Sequence, residues 1–240
     1  MRLTADYHTH TVHSHGTGTM ADNIEAAIAI GLKEIAITDH GLAHMAYGIK
    51  DMDKYLADID EQKKRYAGRI KVLSGIELNL TSLRGDTDMP QEIAGRFDVR
   101  IMGYHKFVAY RGPRSYWHFY AGARIMKHGL KERTTDAYLL AMERGGISII
   151  SHPGYGLPVD ISRLAEGCRE YNVLFEINSS HPGLRSEDIA TAYRSGARLV
   201  VSSDAHSPEN IGNVKFAFDK IRESGIPTDT IVNIAREAEQ

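Results

Sequence analysis

EIAITDH, Glu34 to His40, sets an apolar, strand-like run directly against a carboxylate and an imidazole. The arrangement recurs along the chain. IKVLSGIEL (Ile70 to Leu78) carries Glu77, VRIMGYHKF (Val99 to Phe107) carries His105, and ISIISHPG (Ile147 to Gly154) carries His152. VLFEINSS (Val173 to Ser180) carries Glu176 and Asn178, and LVVSSDAH (Leu199 to His206) closes on Asp204 and His206. Near the start, LTADYHTH (Leu3 to His10) reads as a strand ending in His8 and His10. That makes about seven strands, each usually followed by a helix-length segment.

The helical segments lie around Asp22 to Ile30, with Thr19 or Asp22 as N-cap, and at Asp51 to Tyr66. A longer helical region is predicted from about Ser115 to Arg144, with others at Ile161 to Tyr171, Ser186 to Ser195 and Val214 to Ser224. A short helix near Thr228 to Glu237 closes the chain. Regular β/α alternation predicts an α/β fold with a mostly parallel sheet and helices outside it. No internal repeat or linker interrupts the 240 residues, so residues 1 to 240 read as one domain.

Composition narrows the classes. With 42% hydrophobic and 25% charged residues the chain has material for a sizeable core. Lys and Arg total 29 against 31 Asp and Glu, a formal charge of -2, which carries no general nucleic-acid or membrane-surface signature. A single cysteine, Cys168, excludes an internal disulfide framework and fits a reducing, cytoplasmic setting. MRLTADYHTH turns polar before a signal-peptide core can form. The anomaly is twelve histidines.

In a β/α barrel the C-terminal ends of the strands form the rim where loops converge and chemistry is done. Residues two apart on a strand point to one side, so His8-Thr9-His10 and Asp204-Ala205-His206 each aim two donors into one space. Imidazole suits zinc and similar divalent ions, and carboxylates can bridge two of them. One strand-end histidine is ordinarily a satisfied polar residue. Two such pairs with TDH, GIE, GYH and SHPG all at strand ends favour a metal cluster instead. His44, His118, His128 and His181 are expected on loops or helices facing solvent.

In this order, His8-Thr9-His10, Thr38-Asp39-His40, Gly75-Ile76-Glu77, Gly103-Tyr104-His105, Ser151-His152-Pro153-Gly154 and Ser203-Asp204-Ala205-His206 resemble the PHP (polymerase and histidinol phosphatase) domain family. The likeness spans essentially the whole chain and is greatest to its short, stand-alone phosphatase branch. It implies a distorted (β/α)7 barrel, TIM-like, with three divalent metal ions, most simply zinc, with manganese or iron as alternatives. One ion would be held by His8, His10, Glu77 and Asp204. A second would share Glu77 and add His105 and His152, and a third would take His15, His40 and His206. The branch's spacing points to His15 as the loop ligand, with one residue deleted before it, and leaves His13 as the alternative.

The activity implied is hydrolysis of phosphate monoesters, with Asp204, Glu77 and His206 as catalytic residues and a small phosphorylated molecule as substrate. Three divalent ions would bind the phosphate oxygens and lower the pKa of a bridging water to give hydroxide. Phosphodiester cleavage of nucleic acid, histidinol-phosphate hydrolysis and a non-catalytic metal-binding module are the rival readings. Glu176, Asn178 and Asp39 are candidates for orienting the ligands, Asp39 equally as a turn cap. In KFVAYRGPRSYWHFY (Lys106 to Tyr120), Lys106, Arg111 and Arg114 could meet substrate while Tyr110, Tyr116 or Trp117 stacks on a ring. The alternative there is a solvated loop packed on the next helix.

Overall fold

The computed structural model describes residues 1–122 and 129–235. Seven strands build one sheet in the order β2 (Ala5–Asp6), β3 (Glu34–Ile37), β4 (Lys71–Asn79), β5 (Val99–Gly103), β6 (Ile149–Ile150), β7 (Leu174–Asn178) and β8 (Leu199–Ser202). Spatial order equals chain order and every pairing is parallel. Crossover segments join consecutive strands, as parallel pairing requires, each with an α-helix except β4 to β5, where the helical part is the 3-10 segment Gln91–Arg96. The sheet is nearly closed into a barrel, so the predicted α/β barrel is the fold.

Alternation along the strands sorts side chains between two cores. Ile35, Ile37, Val72, Ile76, Leu78, Phe175, Ile177, Leu199 and Val201 face the helices in the large outer core. Ala36, Val99, Ile101, Ile149 and Val200 fill the interior, with Leu73 and Leu174 against them. Two and four residues beyond those interior positions, the same face carries Glu176 and Asn178 on β7, Glu77 on β4, and Asp204 past the end of β8. The barrel is therefore plugged by hydrocarbon at one end and lined by charge at the other.

The seam between β2 and β8 is closed by single contacts rather than a ladder. Thr9 bridges Ala205 in parallel, and the His10 N–H donates to the Ala205 carbonyl at 2.8 Å. Below this, the buried Asn233 amide donates to the carbonyls of Ala5 (2.8 Å) and Val201 (2.6 Å) and accepts from Val201 N–H at 3.0 Å. One side chain thus stands in for the missing rungs. Asn233→Ala would leave three buried backbone groups unpaired and should cost about 3–5 kcal/mol. Thermal or urea unfolding measures this, and a loss below about 1 kcal/mol would show that water reaches the seam.

Several boundaries differ from the sequence expectation. Leu3 to His10 is not one strand. β1 (Arg2–Leu3) pairs antiparallel with β9 (Ile234–Ala235), and β2 begins after a break at Thr4, whose N–H and hydroxyl both donate to the Asn233 carbonyl. The expected short helix near Thr228 is one 3-10 turn, Thr228–Thr230, leading into β9, and Glu237 lies outside the described residues.

The region from Ser115 to Arg144 is likewise not one helix. A turn at Pro113–Tyr116 and a π-helical stretch Trp117–Gly122 precede a separate helix, Leu130–Glu143, which starts after Gly129 at φ 72°. The first helix, Met20–Ala29, is capped by Thr19, whose hydroxyl accepts from Asp22 N–H while Asp22 returns a bond to Thr19 N–H. No helix among the described residues is long and apolar enough to cross a membrane.

Candidate metal and active site

Glu77, near the end of β4, is the hub. Its Oε1 lies 3.2 Å from His8 Nε2, 3.1 Å from His105 Nε2 and 3.0 Å from His152 Nε2. Its Oε2 lies 2.9 Å from His40 Nδ1 and 3.5 Å from His10 Nε2. Asp204 is the second acidic centre, with Oδ1 at 3.2 Å from His10 Nε2, 3.5 Å from His8 Nε2 and 3.6 Å from His206 Nδ1. His15 completes the group, stacked on His40 at 4.9 Å and edge-on to His206 at 4.2 Å. All nine side chains named from the sequence converge.

Backbone geometry explains how. Thr9 is clamped on both sides, its N–H and carbonyl to Thr38 at 3.0 and 2.9 Å and its bridge to Ala205. It behaves as a single strand residue, and the flanking His8 and His10 therefore both enter the interior. The strand argument holds for this pair through one residue rather than an extended strand. After β6 and β8 the chain turns sharply, and His152 (φ 28°) and Asp204 (φ 53°) adopt the left-handed conformation that side chains rarely take. Such backbone is maintained where surrounding structure over-determines it, commonly at functional sites. Gly103 is required beside them, because a Cβ there would come within 2.6 Å of His152 Cε1 and 2.3 Å of Ser151 Oγ.

The outer nitrogens of several rings are held by acceptors. His8 Nδ1 donates to Glu176 Oε1 at 2.8 Å, His105 Nδ1 to Asn79 Oδ1 at 2.9 Å, and His206 Nδ1 to the Asp204 carbonyl at 2.9 Å. Each bond places the proton outside and turns an Nε2 lone pair toward the centre. Glu176 also accepts from His152 N–H and from Asn178, which reaches Asp204 Oδ2 at 3.0 Å. Glu176 and Asn178 thus support the cluster. Among the described residues, the Asp39 carboxylate bonds no imidazole. It accepts from Thr11 N–H and hydroxyl, both at 2.7 Å, and from the Ser14 hydroxyl, so it pins the loop that delivers His15.

The central atoms match a cation's needs. His8 Nε2, His10 Nε2, His15 Nδ1, His40 Nδ1, Glu77 Oε2 and Asp204 Oδ1 are buried yet form no hydrogen bond. Buried polar atoms left unpaired are costly unless something else satisfies them. Three overlapping sets have ligand atoms within 4.8 Å of one another: His10, His15, His40 and His206; His8, His10 and Asp204; and His40, Glu77 and His105. The residues fit divalent cations. The grouping differs in detail from the sequence assignment, since His10 also joins the third set and His40 stands beside Glu77.

Charge is arranged to the same end. Burial, reinforced by neighbouring imidazoles, lowers the pKa of His15 to about 3 and of His206 to about 4, and holds that of His40 well below its ordinary value. Neutral rings keep the lone pair that ligation needs. Burial opposes ionisation of Glu77 and Asp204, but the surrounding imidazoles overcome it and both carboxyls sit well below the usual range. Around His8 burial opposes charge too, yet Asp204, Glu77 and Glu176 drive its pKa well above normal. These carboxylates demand positive charge at the centre.

The remaining expectations divide. His13 turns away to Asp58 at 3.0 Å, leaving His15 at the cluster. His118 is buried against Thr134 at 2.9 Å rather than solvated, because the π-helical stretch turns it under the next helix. His128 lies outside the described residues. His44 is buried 5.0 Å from the His40 ring, and His181 Nδ1 reaches Asp204 Oδ2 at 2.5 Å. Both were expected in solvent, and both line the pocket. His44 lies in the loop beyond β3 and His181 three residues past the end of β7, and no local periodicity sets the direction of a loop side chain. Asn79, which orients His105 and is itself held by Asp88 at 2.6 Å, was also missed, although it follows Glu77 at i+2 on the same strand face.

Lys106 reaches the pocket, but Arg111 and Arg114 do not. Arg111 lines a separate hollow with Asp86 and Arg144, and Arg114 one with Trp117 and Arg133. The turn at Gly112–Pro113 carries the chain away from the mouth. Tyr110 packs on Phe119 and donates to the His105 carbonyl, while Tyr116 and Trp117 are exposed.

Residues 6–180 match the family model described as PHP domain. The chain belongs to the PHP-domain family. By that membership it is a metal-dependent phosphoesterase. A protein of Serratia proteamaculans (strain 568) named "Probable phosphatase" is 32% identical, over 96% of this chain and 89% of its own length. A "Probable phosphatase" of Thermoanaerobacter sp. (strain X514) is 29% identical, over 97% and 91%. Among solved structures, histidinol phosphate phosphatase of Lactococcus lactis, complexed with Zn, L-histidinol and phosphate, superposes with a TM-score of 0.62 at 17% identity over 95% of each chain. At that identity the likeness shows the fold.

Proposed function

We propose that this PHP protein hydrolyses phosphate monoesters at a trinuclear site held by His8, His10, His15, His40, Glu77, His105, His152, Asp204 and His206. The observation that carries the reading is the convergence of these side chains at one end of the barrel, with buried, unpaired atoms on His8, His10, His15, His40, Glu77 and Asp204. Divalent ions, zinc first given the imidazole-rich donor set and the zinc in the Lactococcus lactis enzyme, would supply Lewis acidity toward phosphate oxygens and an activated water.

The chain's own groups then have distinct tasks. Glu77 balances the central charge and fixes five imidazoles at once. Glu176, Asn79 and the Asp204 carbonyl set the tautomers of His8, His105 and His206. Asp204 has Oδ2 occupied by Asn178 and His181 and Oδ1 facing three imidazoles, so it serves by holding charge. Solvent water is left to protonate the departing alkoxide. Lys106 at the mouth attracts the anionic substrate.

The pocket's cavity volume is about 200 Å³, at the small end for a ligand site, which suits a small phosphorylated molecule. Cleavage of a nucleic-acid strand would need a basic track, and the chain's net charge of -2 offers little material for one. The zinc-loaded protein should favour p-nitrophenyl phosphate over bis-p-nitrophenyl phosphate by roughly 100-fold in kcat/KM. A preference for the diester, or salt-sensitive cleavage of an oligonucleotide at a higher rate, would overturn the monoester reading.

A further inference from the structure

Large apolar side chains stand exposed around the mouth of the pocket. Tyr47 is 45%, Phe107 54% and Tyr155 43% exposed, and all three line the cavity. They come from the segments after β3, β5 and β6, three loops over one side of the barrel, with the loop after β4 contributing none of them. Two of the rings rest on site imidazoles. Tyr47 stacks on His15 with centroids 4.4 Å apart, and Tyr155 stands edge-on to His181 at 4.5 Å.

Phe107 is held differently. Its φ of 60° is left-handed, a conformation unfavourable for a bulky residue. The loop is locked there by a short ladder, with Met45 N–H donating to the Phe107 carbonyl at 3.0 Å and Ala109 N–H to the Ala43 carbonyl at 2.9 Å. A ring displayed to solvent by strained, pinned backbone burns folding energy unless something covers it in use.

Charge at the mouth is one-sided. The carboxylates lining the pocket are Glu77 and Asp204, both buried on its floor among imidazoles, whereas Lys106 stands exposed at the rim. Among the described residues, an ammonium on the leaving group would find a cation at the rim and no exposed carboxylate to meet it. We propose that the mouth selects phosphate monoesters whose leaving alcohol carries a flat ring and no positive charge, the ring lying against Phe107 and Tyr155. The proposal rests on the monoesterase reading above, and it disfavours histidinol phosphate, whose alcohol bears an ammonium.

The test compares 2-phenylethyl phosphate with propyl phosphate, two alkyl esters with similar leaving groups. The wild-type, zinc-loaded protein should prefer the ring-bearing ester by roughly tenfold in kcat/KM, expressed in KM rather than kcat. It should also prefer 2-phenylethyl phosphate to histidinol phosphate. The double variant Phe107→Gly, Tyr155→Ala should bring the first preference below about threefold. Glycine accepts the φ at position 107 without strain, so unfolding would not explain the loss.

Calorimetric binding of 2-phenylethylphosphonate and propylphosphonate gives a readout independent of turnover, and the same ratio should appear and vanish. Equal use of the two esters by the wild type, an unchanged ratio in the double variant, or a preference for histidinol phosphate overturns the assignment. Hydrolysis of neither ester would instead count against the monoesterase reading, and the phosphonate ratio would then decide the role of the rings.

Discussion

Replacing Glu77 by Gln should lower kcat/KM on p-nitrophenyl phosphate by about a thousandfold or more, equivalent to roughly 4 kcal/mol of lost transition-state stabilisation. The substitution keeps the shape of the side chain and removes its charge. Five imidazole nitrogens lie within 3.5 Å of this carboxylate, so an amide there would set an N–H where a cation's oxygen ligand is needed. Metal content per chain, measured on the same preparation, should fall by at least about one ion. The protein should still unfold cooperatively, since Glu77 belongs to the charged layer and not to the apolar plug below it. A loss smaller than about tenfold with metal retained would remove Glu77 from the centre of the mechanism.

Stripping the protein with a chelator should abolish phosphatase activity and lower the melting temperature by roughly 10 °C or more. The size follows from linkage: an ion present at about 1,000 times its Kd contributes about 4 kcal/mol. For a chain of this size each kcal/mol moves the melting temperature by about 2–4 °C. The stripped protein should also become sensitive to mild acid.

His15 and His206 have folded pKa values of about 3 and about 4, with burial the first cause in each case. Unfolded histidine titrates near 6.5. A lowered histidine pKa means that the unfolded chain binds more protons between the two values, so stability is full above about 6.5 and falls as pH drops toward about 4. Melting curves of the stripped protein at pH 7.5 and pH 5 check the sign. At His8 and His181 burial is overcome by the neighbouring carboxylates, which raise both pKa values. These two act in the opposite sense, so clearly greater stability at pH 5 would show that they outweigh the neutral rings.

The two effects share an origin. The barrel interior is divided along its length, with Leu73, Val99, Ile101, Ile149, Leu174 and Val200 at one end and the nine candidate ligands together with Glu176 at the other. Hydrocarbon can be removed from water at no electrostatic cost. The charged layer can be buried only if opposite charges and hydrogen-bond partners are brought together within it. Folding therefore builds the site as a condition of closing the barrel.

The amino-acid sequence by itself determined the alternation of strands and helices, the mostly parallel sheet, and the ligand-type residues at the strand ends, while closure into a barrel was implied by the family resemblance. The first three rest on local rules: apolar runs of strand length, a two-residue repeat, and polar residues at the rim. What those rules cannot register is contact between segments far apart in the chain. His181 pairs with Asp204 across 23 positions and Asp39 pins Thr11 across 28, and neither carries a local signature. The same holds for Asn233, which is an ordinary polar residue in the sequence and a closing strut in the fold. Arg111 and Arg114 fail in the opposite direction: the Arg111 N–H is tied to the Thr81 carbonyl at 2.8 Å and the turn at Gly112 leads Arg114 away, so both leave the mouth that their position after His105 implied. Local periodicity is a property of neighbouring backbone units, whereas the company a side chain keeps depends on how distant loops are brought over the barrel, and only the tertiary structure decides that.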